Sequence, residues 1–191
     1  MLAQQLPWLA LNMACLTWPA VHTQVGRYLA RPEAPEQLPH DIAPFTTLIP
    51  GLEEKLSSIR KSRAFEQEVE KLNAPALMLV TLSEPTYPTA LRWIPHPPLV
   101  LYVRGQLLPE DGLAIAVVGS RQLSPYGKTM AQQFSAALVH HGFTVVSGLA
   151  RGIDGLAHQS AIAEGGRTIA VLGCGINKIY PPEHRQLYET I

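Results

Sequence analysis

Three stretches decide the fold: IAVVGSRQLSPYG (115–127), FTVVSGLARGIDGLAH (143–158) and TIAVLGCGINKIYP (168–181). Each opens on a run of β-branched and apolar residues, the pattern of a strand buried on both faces in a parallel sheet. Each run ends at glycine: Gly119, Gly148 and Gly173. The sequences between the runs have helical length and pattern, so the segment reads strand–turn–helix repeated. Strands are expected near 114–118, 143–147 and 168–172, and helices near 126–141 and 154–164. Ligands of open α/β sheets bind outside the carboxyl ends of the strands, where such turns converge. The glycine turns therefore mark one edge of one sheet as the candidate site.

Outward from this core, prolines set the organisation. RPEAPEQLPHDIAP (31–44) reads as a loop or linker, and residues 1–30 as one or two short helices. Leu52, Leu56 and Ile59, then Phe65, Val69 and Leu72, recur at helical spacing over 51–74. ALMLVTL (76–82) and PPLVLYVRG (97–105) read as strands flanking a short helix at 87–94. The expected division is a small helical domain over 1–70 and an α/β domain over 71–191.

Formal net charge is zero, so composition gives no global argument for nucleic acid or membrane. Residues 1–112 hold 9 Lys+Arg against 11 Asp+Glu, and residues 113–191 hold 6 against 4. The glycine-rich part is thus slightly basic. Cys15 and Cys174 form no metal or redox spacing, which fits a reducing cytoplasm. The apolar N-terminus has its first basic residue at Arg27, so it lacks the charged start of a signal peptide. Asn12, Thr17 and Pro19 interrupt it too often for a membrane span.

The turns carry the candidate chemistry. Gly119 permits a sharp turn, Ser120 offers a hydroxyl, and Arg121 offers a planar cation suited to phosphate. The helix starting near Pro125 aims its N-terminus at the same place, where anions are favoured. GSRQLSPYG lacks the glycine spacing of a dinucleotide fingerprint, so no NAD or FAD cofactor is expected. In the second turn Ser147 and Gly148 are phosphate-binding candidates, with Arg151 further along. Asp154 reads as a cap of the following helix and His158 as a packed histidine, since no Ser or Cys nucleophile accompanies them. In the third turn Gly173 and Gly175 imply close backbone approach, Lys178 a cation, and Tyr180 a ring on which a base can stack. No catalytic residue and no metal site is expected.

These motifs in order resemble the DNA-processing protein A family, also called DprA or Smf, over about residues 85–185. The resemblance implies a Rossmann-like three-layer parallel sheet behind a small helical, SAM-like N-terminal domain. It implies a non-enzymatic cytoplasmic protein that binds single-stranded DNA and loads the RecA recombinase in natural transformation. The family's DNA pocket carries over to Gly119, Ser120, Arg121, Ser147, Gly148 and Lys178. Family members continue past the position of Ile191 with further strands and a surface for homodimerisation and RecA contact, so the α/β domain is expected to be incomplete here. A different class, phosphoribohydrolases resembling the LOG family, uses similar glycine-rich sheets, but their PGGxGTxxE motif does not occur in this sequence.

Overall fold

A computed structural model describes residues 2–30 and 41–191, so most of the expected proline-rich linker lies outside the described residues. The chain divides into two compact units, Met1–Gln106 and Leu107–Ile191. No helix among the described residues is long and apolar enough to cross a membrane.

In the first unit, α1 (Leu2–Thr17) and α2 (Pro19–Leu29) meet at Trp18, with Pro19 opening α2 where a missing N–H costs nothing. Trp8, Leu9, Leu11 and Ala14 of α1 are buried, and Trp8 meets Phe45 of α3 (Ala43–Leu48) edge-on at 6.0 Å. The helical pattern over 51–74 forms two helices, α4 (Leu52–Arg60) and α5 (Arg63–Lys71). Ser62 makes the break, because its hydroxyl accepts from the Phe65 N–H and caps α5. β1 (Leu77–Thr81) and β2 (Val100–Arg104) flank the short α6 (Thr89–Arg92) and pair antiparallel, Leu79 opposite Tyr102. They pair with each other and not with the parallel sheet. Gln5 ties α1 to this hairpin, donating to the Leu79 carbonyl at 2.7 Å and to Glu84 at 3.0 Å.

The second unit is the parallel α/β part. β3 (Ala114–Ala116), β4 (Thr144–Ser147) and β5 (Thr168–Ala170) lie in that order, all parallel, with Ile115 beside Val145 and Val146 beside Ile169. The crossovers are α7 (Pro125–His140) and α8 (Ile153–Ala163), as the sequence predicts. Both helices pack on each other and on β4, so they share one face, and with the sheet they make two of the three expected layers. Val145, Ala157 and Ala161 form the core, with Val117, Leu138 and Val139 against it. Alanines and glycines let the layers approach: a Cβ on Gly166 would lie 2.3 Å from Val139. The strands are shorter than expected because the chain leaves the ladder after single extending bonds, Val117 N–H to Val146 and Val171 N–H to Ser147.

At the amino ends of the strands a carboxylate collects four donors. Asp111 accepts from Arg167 through Nε and Nη2, both at 2.8 Å, from Thr144 Oγ1 at 3.1 Å and from the Leu108 N–H at 2.8 Å. Burial alone would raise its pKa, but these bonds outweigh that and hold it below the usual carboxylate range. The carboxyl ends are different in kind.

Candidate functional site

Three loops converge at the carboxyl ends of β3, β4 and β5. The first and second are packed backbone to backbone. The Ser120 carbonyl accepts from the Ile153 N–H at 3.1 Å, and Gly119 lies so close that a Cβ there would sit 2.7 Å from Ile153 Cγ1. Gly152 faces the same carbonyl with φ +85° and ψ −129°, a conformation almost confined to glycine. A Cβ on it would lie 2.1 Å from Ser120 O and 2.8 Å from Arg121 Cα. Glycine at 119 and 152 is therefore a condition of this contact.

The contact presents Arg121. Ser120 Oγ accepts from the Gln122 N–H at 3.0 Å, closing a tight turn that leaves Arg121 exposed. Its side chain has no hydrogen bond or ion pair with any described residue. The chain then enters α7 through Ser124, whose hydroxyl accepts from the Gly127 N–H at 3.0 Å, with Pro125 at the first helical position. The first turn of α7 carries no acidic residue but does carry Lys128, which is exposed. A cation there opposes the helix dipole. Lys128 was not singled out from the sequence; a lysine where the first turn favours Asp or Glu is the signal that marks it.

The second loop is largely committed to the protein itself. Ser147 is buried and donates to the Val117 carbonyl at 2.6 Å, bridging β4 to β3. The Gly148 N–H donates to Asp154 Oδ2 at 3.2 Å. Asp154 thus bonds back to the turn, and the residue at the cap position of α8 is Gly152. Arg151 donates to Glu183, Nε to Oε1 at 2.5 Å and Nη2 to Oε2 at 3.2 Å, and its guanidinium lies 5.7 Å from the Tyr180 ring centre. The pairing raises the Arg151 pKa and lowers that of Glu183.

His158 is fully buried behind this loop. Thr168 Oγ1 donates to the Val145 carbonyl at 2.8 Å, so it accepts from His158 Nδ1 at 2.6 Å, which leaves Nε2 without its proton. That Nε2 has no hydrogen-bond partner of good geometry among the described residues. Burial pushes the imidazole down to about 4, against the opposing pull of the Asp154 charge and the Ser147 backbone. His158 is a packed neutral histidine, as read from the sequence.

In the third loop Gly175 takes φ +80° and the Lys178 N–H closes onto its carbonyl at 3.1 Å. Gly173 is exposed with open space where a Cβ would stand. Lys178 is exposed, and its ammonium has no partner among the described residues. Beyond it, His184 Nδ1 lies 3.0 Å from the Leu149 carbonyl, in room left by Gly155, where a Cβ would sit 2.5 Å from His184 Cε1.

Over 107–191 the basic residues divide into paired and unpartnered sets. Of six Lys and Arg, Arg151, Arg167 and Arg185 are paired with Glu183, Asp111 and Glu189. The other three, Arg121, Lys128 and Lys178, have no carboxylate partner among the described residues, and all three lie at the carboxyl edge. Exposed Val118, Tyr126, Val171 and Tyr180 share that edge. Cations interleaved with apolar and aromatic surface suit a ligand with phosphates and bases together.

Comparison with known proteins gives a consistent result. The family of DNA recombination-mediator protein A matches residues 78–191. Protein Smf of Synechocystis sp. is 47% identical over 116 residues, which are 59% of this chain and 29% of that protein. The X-ray structure of DNA processing protein A from Streptococcus pneumoniae superposes with a TM-score of 0.57 at 30% identity, covering 71% of this chain and 51% of that one. A structure of DNA processing protein A from Helicobacter pylori, concerned with that protein's single-stranded DNA binding mode, gives 0.51 at 30% identity, covering 60% and 51%. The chain thus spans well under two thirds of the length of each.

Proposed function

The chain belongs to the DNA recombination-mediator protein A family, and on that premise we propose that it binds single-stranded DNA along the carboxyl edge of its parallel sheet. The observation that carries the reading is the set of cations without a partner among the described residues, Arg121, Lys128 and Lys178, at the edge that also exposes Tyr126 and Tyr180. Support comes also from the H. pylori relative, whose structure concerns single-stranded DNA binding. Gly119 and Gly152 set Arg121, Gly175 sets Lys178, and Ser147 and Gly148 hold the strand ends that carry the loops. For the whole protein we propose DNA processing in transformation and recombination, without catalysis, in the cytoplasm, as a homodimer that loads RecA.

Binding led by three phosphate contacts gives a slope of log K against log salt of about −0.7 each for single strands, roughly −2 in total. Arg121→Ala is expected to weaken binding to a labelled oligo-dT by about ten- to a hundred-fold, the equivalent of one charged bidentate contact. Arg121→Lys restores only part, keeping the charge but losing the fork. Fluorescence anisotropy on folded variants checks this; an Arg121→Ala protein that binds like the parent removes the first loop from the site. Release of free base from a nucleoside monophosphate would instead point to the phosphoribohydrolase chemistry.

A further inference from the structure

We infer that Glu183 is an intramolecular occupant of Arg151, withholding the second-loop cation from phosphate and so limiting how tightly a strand is held. The inference rests on the reading of the carboxyl edge as the strand-binding site. A carboxylate meeting a guanidinium through two oxygens occupies the same fork that a phosphate would use. Glu183 does so through both oxygens, at 2.5 and 3.2 Å, at the edge where Arg121, Lys128 and Lys178 have no partner among the described residues.

The pair is not what holds the loops. Its two side chains are 50% and 52% exposed, and exposed ion pairs contribute little to stability. The 180–184 segment has its own anchor in the His184–Leu149 contact and the space beneath it at Gly155. Downstream, the Tyr188 hydroxyl donates to the Ile176 carbonyl and closes the third loop. Arg151 is held from a second side by the Tyr180 ring, so loss of Glu183 leaves the guanidinium at the edge with its fork open. The parent then works with three cations where four are built.

Four proteins test this: the parent, Glu183→Ala, Arg151→Ala and the double variant, with Glu183→Gln as a shape-preserving control and circular dichroism for folding. On labelled oligo-dT, Glu183→Ala is expected to bind about five- to ten-fold tighter, one charged hydrogen bond less the exposed pair. Its salt slope steepens by about 0.7 for the added phosphate. Arg151→Ala binds within about two-fold of the parent, because its cation was already occupied, on the scale of an exposed pair. The double variant matches Arg151→Ala. A Glu183→Ala protein that binds no tighter overturns the inference, and so does a double variant that keeps the gain, which would be a general charge effect.

A second arm needs no DNA. Titration with inorganic phosphate, followed at the Arg151 Nε–H resonance, should move that resonance at lower phosphate in Glu183→Ala than in the parent. If none of the proteins binds oligo-dT, the strand-binding reading fails and the phosphate arm decides the inference alone. If the parent binds through Arg121 but Glu183→Ala changes nothing in either arm, the inference alone fails.

Discussion

Gly152→Ala is expected to destabilise the second unit by about 3 kcal/mol or more, combining the strain of a glycine-only conformation with overpacking against backbone. The added methyl would meet Ser120 O at 2.1 Å and Arg121 Cα at 2.8 Å, neither of which can rotate away. Relief requires the first loop to separate from the second, breaking the Ile153 to Ser120 bond and displacing Arg121. Strand binding should therefore fall along with stability. Gly165→Ala is the control, since Gly165 also has a positive φ, +70°, but open space around it, and should cost only about 1 kcal/mol. Denaturation is best followed by far-ultraviolet circular dichroism, because Trp8, Trp18 and Trp93 all lie in the first unit. Equal costs for the two variants would show that the loops are not in contact.

Acidification should begin to destabilise the second unit before its carboxylates titrate. His158 titrates at about 4 when folded, against its ordinary 6.5. Between those values the unfolded chain binds a proton that the folded chain refuses, so stability falls as pH drops from 6.5 towards 4. The depression is worth about 3 kcal/mol in all, at 1.36 kcal/mol per unit. Asp111 acts lower: its depressed pKa gives stability that is present above its ordinary 3.8 and is lost only as pH falls through the folded value. Urea midpoints at pH 7, 6, 5 and 4.5 separate the two, with His158→Gln as the comparison. That variant starts less stable but should lack the 6.5-to-4 decline; a parent with flat stability over that range would count against a buried neutral imidazole.

The parallel sheet was legible because β-branched runs ending in glycine allow few other folds, and its two crossover helices fell within a residue or two of expectation. The pairing of β1 with β2 was not legible, since a short apolar run does not say which strand it joins. At the edge, Arg121 and Lys178 could be read from residue type and position. Ser147 and Gly148 could be placed at the strand end but not followed to their partners, because the Val117 carbonyl and Asp154 become neighbours only through the fold. The occupation of Arg151 by Glu183, thirty-two residues on, was hidden for the same reason. Lys128 stands in the first turn of α7, where a lysine opposes the helix dipole, and that position is readable from the sequence.

Asp111 also bears on how the chain finds its pairing. Its partners stand at the starts of β4 and β5, 33 and 56 residues away, and they reach one carboxylate only when both strands are aligned as observed. Because side chains alternate between faces, a slip of β5 by one residue would turn Arg167 to the wrong side and leave a half-buried carboxylate short of its strongest donor. A strand of three residues has few ladder bonds with which to reject such a slip. One cluster of charge at the far end of the sheet therefore acts as a proofreading contact for the alignment on which the loops depend.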